Sequence, residues 1–169
     1  MIVLVGFMGA GKTTVGRRLA AELDLAFIDL DRAIEEGGHR SVKEIFAADG
    51  EAAFRTIEHE ALARVLAGPS LVLAVGGGAV EHAGSRRLLA AADVVYLQVS
   101  YADALARVGG DAGRPMLARP DLAQVYQRRL AGYESVATLI VATGGRGTRA
   151  VCAEVLTGLA RRDRAGYPH

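Results

Sequence analysis

The chain has 169 residues, of which 51% are hydrophobic and 23% charged, and its formal net charge is +1. This length suits one domain with a substantial core, and the near-neutral charge excludes a bulk field that would recruit nucleic acid or an anionic membrane. No apolar run approaches the ~18 residues that span a bilayer, and the single cysteine, Cys152, excludes an internal disulfide. We therefore expect a cytoplasmic protein without a nucleic-acid or membrane partner.

Short apolar runs alternate with helical patterns along the whole chain. The predicted strands are 2–5, 26–28, 71–75, 94–99 and 138–141, most of them continuous apolar runs typical of buried parallel strands. The predicted helices are 13–23, 32–36, 42–48, 51–66, 85–91, 101–108, 122–130 and 149–161. This alternation predicts an α/β fold with a parallel sheet, helices on both faces and ligands at the carboxyl ends of the strands. Residues 1–161 should form one domain, and 162–169 a flexible tail.

The first strand leads directly into a phosphate-binding loop at residues 6–13, with the spacing G-x-x-x-x-G-K-T. Its glycines let the backbone turn N–H groups inward on an anion. Lys12 can bring a point charge to the β- and γ-phosphates, and the Thr13 hydroxyl can bind Mg²⁺. The helix that follows directs its positive N-terminus at the same phosphates. This segment predicts binding of a nucleoside triphosphate through Gly9, Ala10, Gly11, Lys12, Thr13 and Thr14.

Two carboxylates, Asp29 and Asp31, end the second predicted strand. At this i, i+2 spacing both side chains leave the strand on the same side. Beside a phosphate-binding loop, one of them can help to order Mg²⁺ while the other meets an acceptor hydroxyl. The alternative is that Asp31 caps the helix that follows.

Three glycines, Gly76, Gly77 and Gly78, follow the buried strand 71–75. Residues without a Cβ permit very close approach by a ligand, and the alternative is a plain flexible turn. Residues 109–117 form a second glycine-containing loop that holds a single arginine, Arg114. Glycine hinges around one arginine suit a lid that closes over a triphosphate.

Arg55 lies on the predicted helix 51–66. Its guanidinium can bind a carboxylate or phosphate bidentately. The alternative is that it pairs with Glu51 or Glu58 on a solvated helix face.

Together these segments resemble shikimate kinase, and the resemblance covers nearly the whole chain. The matching segments are 6–13, 27–31, 34–35, 45–58, 76–80 and 114–117. The resemblance implies a three-layer αβα P-loop kinase fold of the nucleoside monophosphate kinase type, with a five-stranded parallel sheet. It also implies a helical substrate-binding segment at about 31–60 and a lid at about 109–120. The implied activity transfers the ATP γ-phosphate to the 3-hydroxyl of shikimate, with Mg²⁺ as cofactor, in a monomer.

The resemblance further implies the roles of individual residues. The implied catalytic residues are Lys12, Asp31, as the candidate base, and Arg114, as the lid arginine. The implied ATP contacts are the phosphate-binding loop with Arg107, which would lie against the adenine, Arg114 and Arg146. The implied metal ligands are Thr13 and Asp29. The implied shikimate contacts are Asp31, Arg55, Gly76, Gly77, Gly78 and Arg129.

Two places depart from the family pattern and leave alternatives open. The family usually has Arg-x-Pro-Leu-Tyr where this chain has Ala131 and Gly132 between Arg129 and Tyr133, and the helix that carries them looks shortened. Arg128 is therefore a rival to Arg129 as the second carboxylate-binding arginine. The loop 142–148 also differs, so its adenine contacts stay open.

Other P-loop proteins are the alternatives to this function. A gluconate kinase would share much of the chemistry, whereas a nucleoside monophosphate kinase would need more basic residues in its lid than this chain provides. A catalytically idle nucleotide-binding protein would not require this full set of charged residues.

Overall fold

The computed structural model describes residues 1–109 and 119–165. In these ranges, five strands alternate with α-helices. The strands are β1 (Ile2–Val5), β2 (Ala26–Asp29), β3 (Leu71–Ala74), β4 (Asp93–Gln98) and β5 (Leu139–Ala142). The helices are α1 (Lys12–Leu23), α2 (Leu30–Gly38), α3 (Val42–Leu66), α4 (Ala83–Leu89), α5 (Tyr101–Val108), α6 (Leu122–Val136) and α7 (Thr148–Arg164), and a 3₁₀ turn spans Ala79–Glu81.

The strands form one parallel sheet in the order β2-β3-β1-β4-β5. Their apolar side chains are almost fully buried in β1, β3 and β4, as expected for parallel strands covered by helices. Helix α1 packs against α7, and α4 contacts both α3 and α6. The pair α1 and α7 and the group α3, α4 and α6 cover the sheet. The predicted αβα fold is confirmed. The strand order reverses at β1, between β3 and β4, and in this class of fold the crevice at such a point binds ligands.

Helix α3 joins the two helices that the sequence predicts as 42–48 and 51–66. It begins with a capping box, in which Ser41 and Glu44 satisfy each other's backbone N–H groups. Gly50, with φ of 84° and ψ of 170°, interrupts the helical backbone inside it. The break therefore falls between the two predicted helices.

Helix α6 contradicts the prediction of a short helix at 122–130, because it continues to Val136. Ala131 and Gly132 are helical, and Gly132 packs closely against the 3₁₀ turn: a Cβ there would lie 3.0 Å from Val80 Cγ2. The absence of a side chain at Gly132 thus permits close packing of α6 against the 3₁₀ turn. Within the described residues, no helix has the length and hydropathy needed to cross a membrane.

Candidate active site

The phosphate-binding loop connects β1 to α1 at the point where the strand order reverses. Gly9 and Gly11 have φ angles of 73° and 91°, which residues with a Cβ rarely adopt. The Lys12 ammonium lies within the curve of the loop, where it donates to the carbonyl oxygens of Gly6 (2.8 Å) and Phe7 (3.2 Å). The loop is therefore already shaped around a positive charge.

Two further predicted loop residues differ in exposure. Ala10 is buried and donates its N–H to the Phe7 carbonyl at 3.2 Å. Thr14 is exposed in the first turn of α1. Ala10 lies just before the N-terminus of α1 and Thr14 lies in its first turn, so both are at the end of the helix that would face the phosphates.

Thr13 and Asp29 meet at the carboxyl ends of β1 and β2. The Thr13 hydroxyl donates to Asp29 Oδ2 at 2.8 Å. A hydroxyl and a carboxylate are the hard oxygen ligands that Mg²⁺ prefers, and Mg²⁺ commonly takes its other ligands from phosphates and water. No group of three or more His, Cys, Asp or Glu side chains among the described residues could hold a metal by itself. The donor set fits a Mg²⁺ ion that arrives with a nucleotide.

Asp31 lies in the first turn of α2, because β2 ends at Asp29 and α2 begins at Leu30. The prediction that Asp31 belongs to the strand is wrong, and so is its interpretation as a helix cap. Its Oδ1 is buried and has no hydrogen-bond partner among the described residues. Burial raises the pKa of Asp31, and Asp29 raises it further, while Lys12 and Arg55 oppose the shift. A buried oxygen without a partner costs free energy, so Asp31 is well placed to accept a hydrogen bond from a ligand.

Glu58 is a fully buried carboxylate near Asp31, and sequence reasoning did not assign it to the site. Burial raises its pKa to about 7 despite the Arg55 guanidinium 2.6 Å away. Gly76 makes room for both carboxylates: a Cβ there would overlap Glu58 Oε1 and lie 2.8 Å from Asp31 Oδ1. The available signal was the spacing of Glu58, which follows Arg55 by three residues and shares its helix face.

Arg55 lines the same cavity as Asp31 and Glu58. Its guanidinium donates to Glu58 (2.6 Å) and Glu51 (3.0 Å), so the predicted pairings exist. The helix face is not a solvated one, however, because the Arg55 side chain is only 12% exposed. The guanidinium lies 5.3 Å from the Phe54 ring centre and 5.9 Å from that of Phe46, within the range of cation–π attraction. Charge and aromatic contacts together fix its position.

The three glycines after β3 pass close to the charged side chains. A Cβ at Gly78 would overlap the Arg55 guanidinium, so a larger residue here would have to displace Arg55 from its present position. Gly77 accepts a hydrogen bond from the buried Tyr133 hydroxyl at 2.5 Å. These contacts contradict the interpretation of the segment as a plain flexible turn.

Arg129 and Arg128 are clearly distinguished. Arg129 is 4% exposed and lines the cavity, whereas the side chain of Arg128 is 55% exposed and lies 3.7 Å from Asp121 on the surface. Arg129 donates from Nε (2.9 Å) and Nη2 (2.6 Å) to Glu81 Oε2. No sequence pattern selects Glu81, because it meets Arg129 only through packing of α6 on the 3₁₀ turn.

The two arginines expected near the adenine lie outside this cavity. Arg107 joins the phosphate-binding loop to the segment after β5, donating to the Gly9 carbonyl at 3.0 Å and to the Thr143 carbonyl at 2.5 Å. Arg146 pairs with Glu154 at 2.6 Å on the surface of α7. Arg107 thus borders the loop that would hold the phosphates, and Arg146 lies further along the same segment.

The predicted metal ligands and shikimate contacts, together with Lys12, surround one cavity of about 300 Å³. Its polar lining comprises Lys12, Thr13, Asp29, Asp31, Glu35, Arg55, Glu58, Gly76, Gly77, Gly78 and Arg129. Apolar side chains such as Phe46 and Phe54 complete the walls. Arg114, the predicted lid arginine, lies outside the described residues.

The fold and this cavity define the class of protein. A phosphate-binding loop beside a buried carboxylate and two arginines indicates a P-loop kinase that acts on a small, negatively charged acceptor.

Comparisons with known proteins narrow the class to one family. A family model described as shikimate kinase matches residues 8–160. A shikimate kinase from Mycobacterium tuberculosis is 45% identical over 161 residues, which cover 93% of this chain and 92% of the relative. The structure of shikimate kinase from Acinetobacter baumannii in complex with shikimate has a TM-score of 0.89 at 36% identity, covering 95% of this chain and 93% of that one. The chain belongs to the shikimate kinase family.

A gluconokinase from Sinorhizobium meliloti bears on the alternative function. Its structure has a TM-score of 0.59 at 19% identity and covers 95% of this chain and 91% of its own. That likeness shows a common fold alone.

Proposed function

We propose that this protein transfers the γ-phosphate of ATP to the 3-hydroxyl of shikimate, giving shikimate 3-phosphate and ADP. The proposal depends above all on one observation: Asp31, whose Oδ1 has no hydrogen-bond partner in residues 1–109 and 119–165, lines one cavity with Arg55 and Arg129 beside the phosphate-binding loop. A small hydroxylated carboxylate needs an acceptor for its hydroxyl proton and guanidinium groups for its anion. Membership of the shikimate kinase family supports the same acceptor.

The phosphate donor binds at the start of α1. Backbone N–H groups of residues 9–14 and the Lys12 ammonium hold the β- and γ-phosphates, helped by the positive end of the helix. Thr13 and Asp29 would hold Mg²⁺, which would neutralise charge on these phosphates. The Thr13 hydroxyl lies 2.8 Å from Asp29 Oδ2, so the two hard oxygen donors stand close together, which supports this assignment.

The acceptor binds across the cavity from the donor. Arg55 and Arg129 bind the shikimate carboxylate, and the backbone of residues 76–78 contacts the ring face, where the lack of side chains permits close approach. Asp31 Oδ1 accepts a hydrogen bond from the 3-hydroxyl and thereby gains a partner, which the described residues do not provide.

Transfer then requires alignment and movement of one proton. The 3-hydroxyl oxygen forms the new bond to phosphorus as the bond to the β-phosphate breaks, and Asp31 takes the hydroxyl proton. The raised pKa of Asp31 favours this step, because it strengthens the carboxylate as a base. The lid at about 109–120 excludes water, and its Arg114 meets charge that develops on the transferred group.

Arg107 and Arg146 form the adenine side of the donor site. Arg107 supports this role through its hydrogen bonds to both the phosphate-binding loop and Thr143. Arg146 lies in the loop between β5 and α7, at the carboxyl edge of the parallel sheet, where the phosphate-binding loop also lies.

A coupled ADP-release assay tests the proposal directly. Shikimate, quinate, gluconate and AMP are compared as acceptors, with ATP and Mg²⁺ at saturating concentration. We expect shikimate to give the highest kcat/KM by a wide margin. A higher value for gluconate or AMP would refute the proposed acceptor.

A further inference from the structure

Glu81 carries a carboxylate at the place where the proposed function puts the carboxylate of the substrate. Its Oε2 accepts two hydrogen bonds from Arg129, at 2.9 Å and 2.6 Å, and lies 3.8 Å from Arg55 Nη2. Arg129 is 4% exposed, so this contact is largely shielded from water. A carboxylate oxygen between two guanidinium groups makes the same kind of charge-assisted contact as the carboxylate of a bound substrate.

The charge of the cavity makes it unfavourable to bind the substrate carboxylate while the Glu81 carboxylate remains beside the arginines. Among the described lining residues, the acids are Asp29, Asp31, Glu35 and Glu58, and the bases are Lys12, Arg55 and Arg129. An anionic substrate adds negative charge where little water screens it. Displacing an acidic side chain from the arginine pair relieves that cost.

Glu81 is the acid that can leave most readily. Its side chain is 33% exposed, whereas Glu58 is fully buried. The more exposed Glu51 (40%) forms ion pairs with Arg55 and Arg119 and leaves Arg129 to Glu81. Glu81 ends the 3₁₀ turn, and Arg86 holds its backbone carbonyl at 3.1 Å, so the side chain can turn while the backbone stays fixed. A second cavity of about 350 Å³ borders Glu81 and is also lined by Arg86 and Arg128. The displaced carboxylate therefore has other cations nearby.

We propose that Glu81 competes with the substrate carboxylate for Arg129 and Arg55, and thereby sets the affinity of the site for carboxylates. This inference rests on the proposed function. In the free protein, Glu81 neutralises Arg129, whose burial without a counter-ion would be costly. When shikimate binds, its carboxylate replaces Glu81 Oε2, and Glu81 turns towards Arg86 and Arg128. The affinity for the substrate then depends on the difference between two binding free energies, that of the substrate carboxylate and that of the Glu81 carboxylate on the same two arginines.

The test is Glu81→Gln, which keeps the shape of the side chain and removes its charge. We expect isothermal titration to give a shikimate Kd lower than that of the wild type by on the order of 10-fold, since the competing contact is charge-assisted. Shikimate methyl ester, which has no carboxylate charge, should bind both proteins equally. Glu60→Gln, which removes one exposed charge from α3, should bind shikimate like the wild type.

Thermal unfolding provides a second readout. Without ligand, Glu81→Gln should melt below the wild type because Arg129 lacks its counter-ion, and saturating shikimate should raise its Tm by more than it raises that of the wild type. If the Gln variant does not fold, Glu81→Ala is used in the same titration with the same expected tightening.

Unchanged or weaker shikimate binding by a folded Glu81 variant would overturn the inference. Weaker binding would mean that Glu81 only holds Arg129 in place for the substrate. Failure of the proposed function gives a different result, because the wild-type protein itself would then show neither shikimate binding nor shikimate-dependent ADP release.

Discussion

Glu58 provides a quantitative prediction about how stability depends on pH. Its pKa of about 7 in the folded protein compares with 4.5 in an unfolded chain. Between these values the folded state holds a proton that the unfolded state has lost, so the free energy of unfolding falls as the pH rises. At 1.36 kcal/mol per pH unit, the full loss attributable to Glu58 is about 3 kcal/mol. Glu58 is fully buried, so solvent screening does not reduce this value greatly.

The perturbation is Glu58→Gln, because an amide resembles the protonated acid and does not titrate. Urea unfolding of both proteins is measured from pH 5 to pH 8, and the free energy of each is obtained from the midpoint and the slope. We expect the wild type to lose stability relative to the variant as the pH rises, with most of the change complete by about pH 8.

Glu44 offers a control of opposite sign. Hydrogen bonds from Ser41 lower the pKa of this exposed carboxylate, so Glu44 contributes stability that is lost as the pH falls. Comparison of the wild type with Glu44→Gln should therefore show a small change in the opposite direction. The reasoning about Glu58 would be refuted if the difference between wild type and Glu58→Gln were constant, or grew in favour of the wild type, from pH 5 to pH 8.

Three kinetic predictions address the proposed roles in the cavity. Asp31→Asn should lower kcat by ~10²-fold or more if Asp31 takes the proton; steady-state kinetics that show a change in KM alone would indicate a positioning role. Arg129→Ala should raise the shikimate KM roughly 10- to 150-fold, for a contact worth ~1.5–3 kcal/mol, while Arg128→Ala should change it little; a larger defect at Arg128 would contradict the assignment. Gly78→Ala should raise KM roughly 10- to 100-fold by displacing Arg55, and an unchanged KM with normal stability would show that the clash is absorbed elsewhere.

The sequence alone determined the features that depend on local chain chemistry. The strands were recognisable because parallel strands between two helical layers must be continuously apolar. The phosphate-binding loop was recognisable because backbone cradling of an anion imposes glycine at fixed spacing. The family resemblance added the expectation that Arg55 and Arg129 bind the acceptor, which no local rule provides.

Only the tertiary structure decided which side chains meet. Asp31 is a helix residue because α2 begins at Leu30, directly after β2 ends at Asp29, and α6 extends past Gly132 because that glycine fits against Val80. The choice of Arg129 over Arg128 followed from the direction in which α6 faces the cavity, and residues on neighbouring helical positions differ by ~100°. The positions of Glu81 and Glu58 beside the two arginines likewise depend on how their segments pack. Contacts between distant segments depend on how helices pack on the sheet, and a linear pattern of charges does not encode that packing.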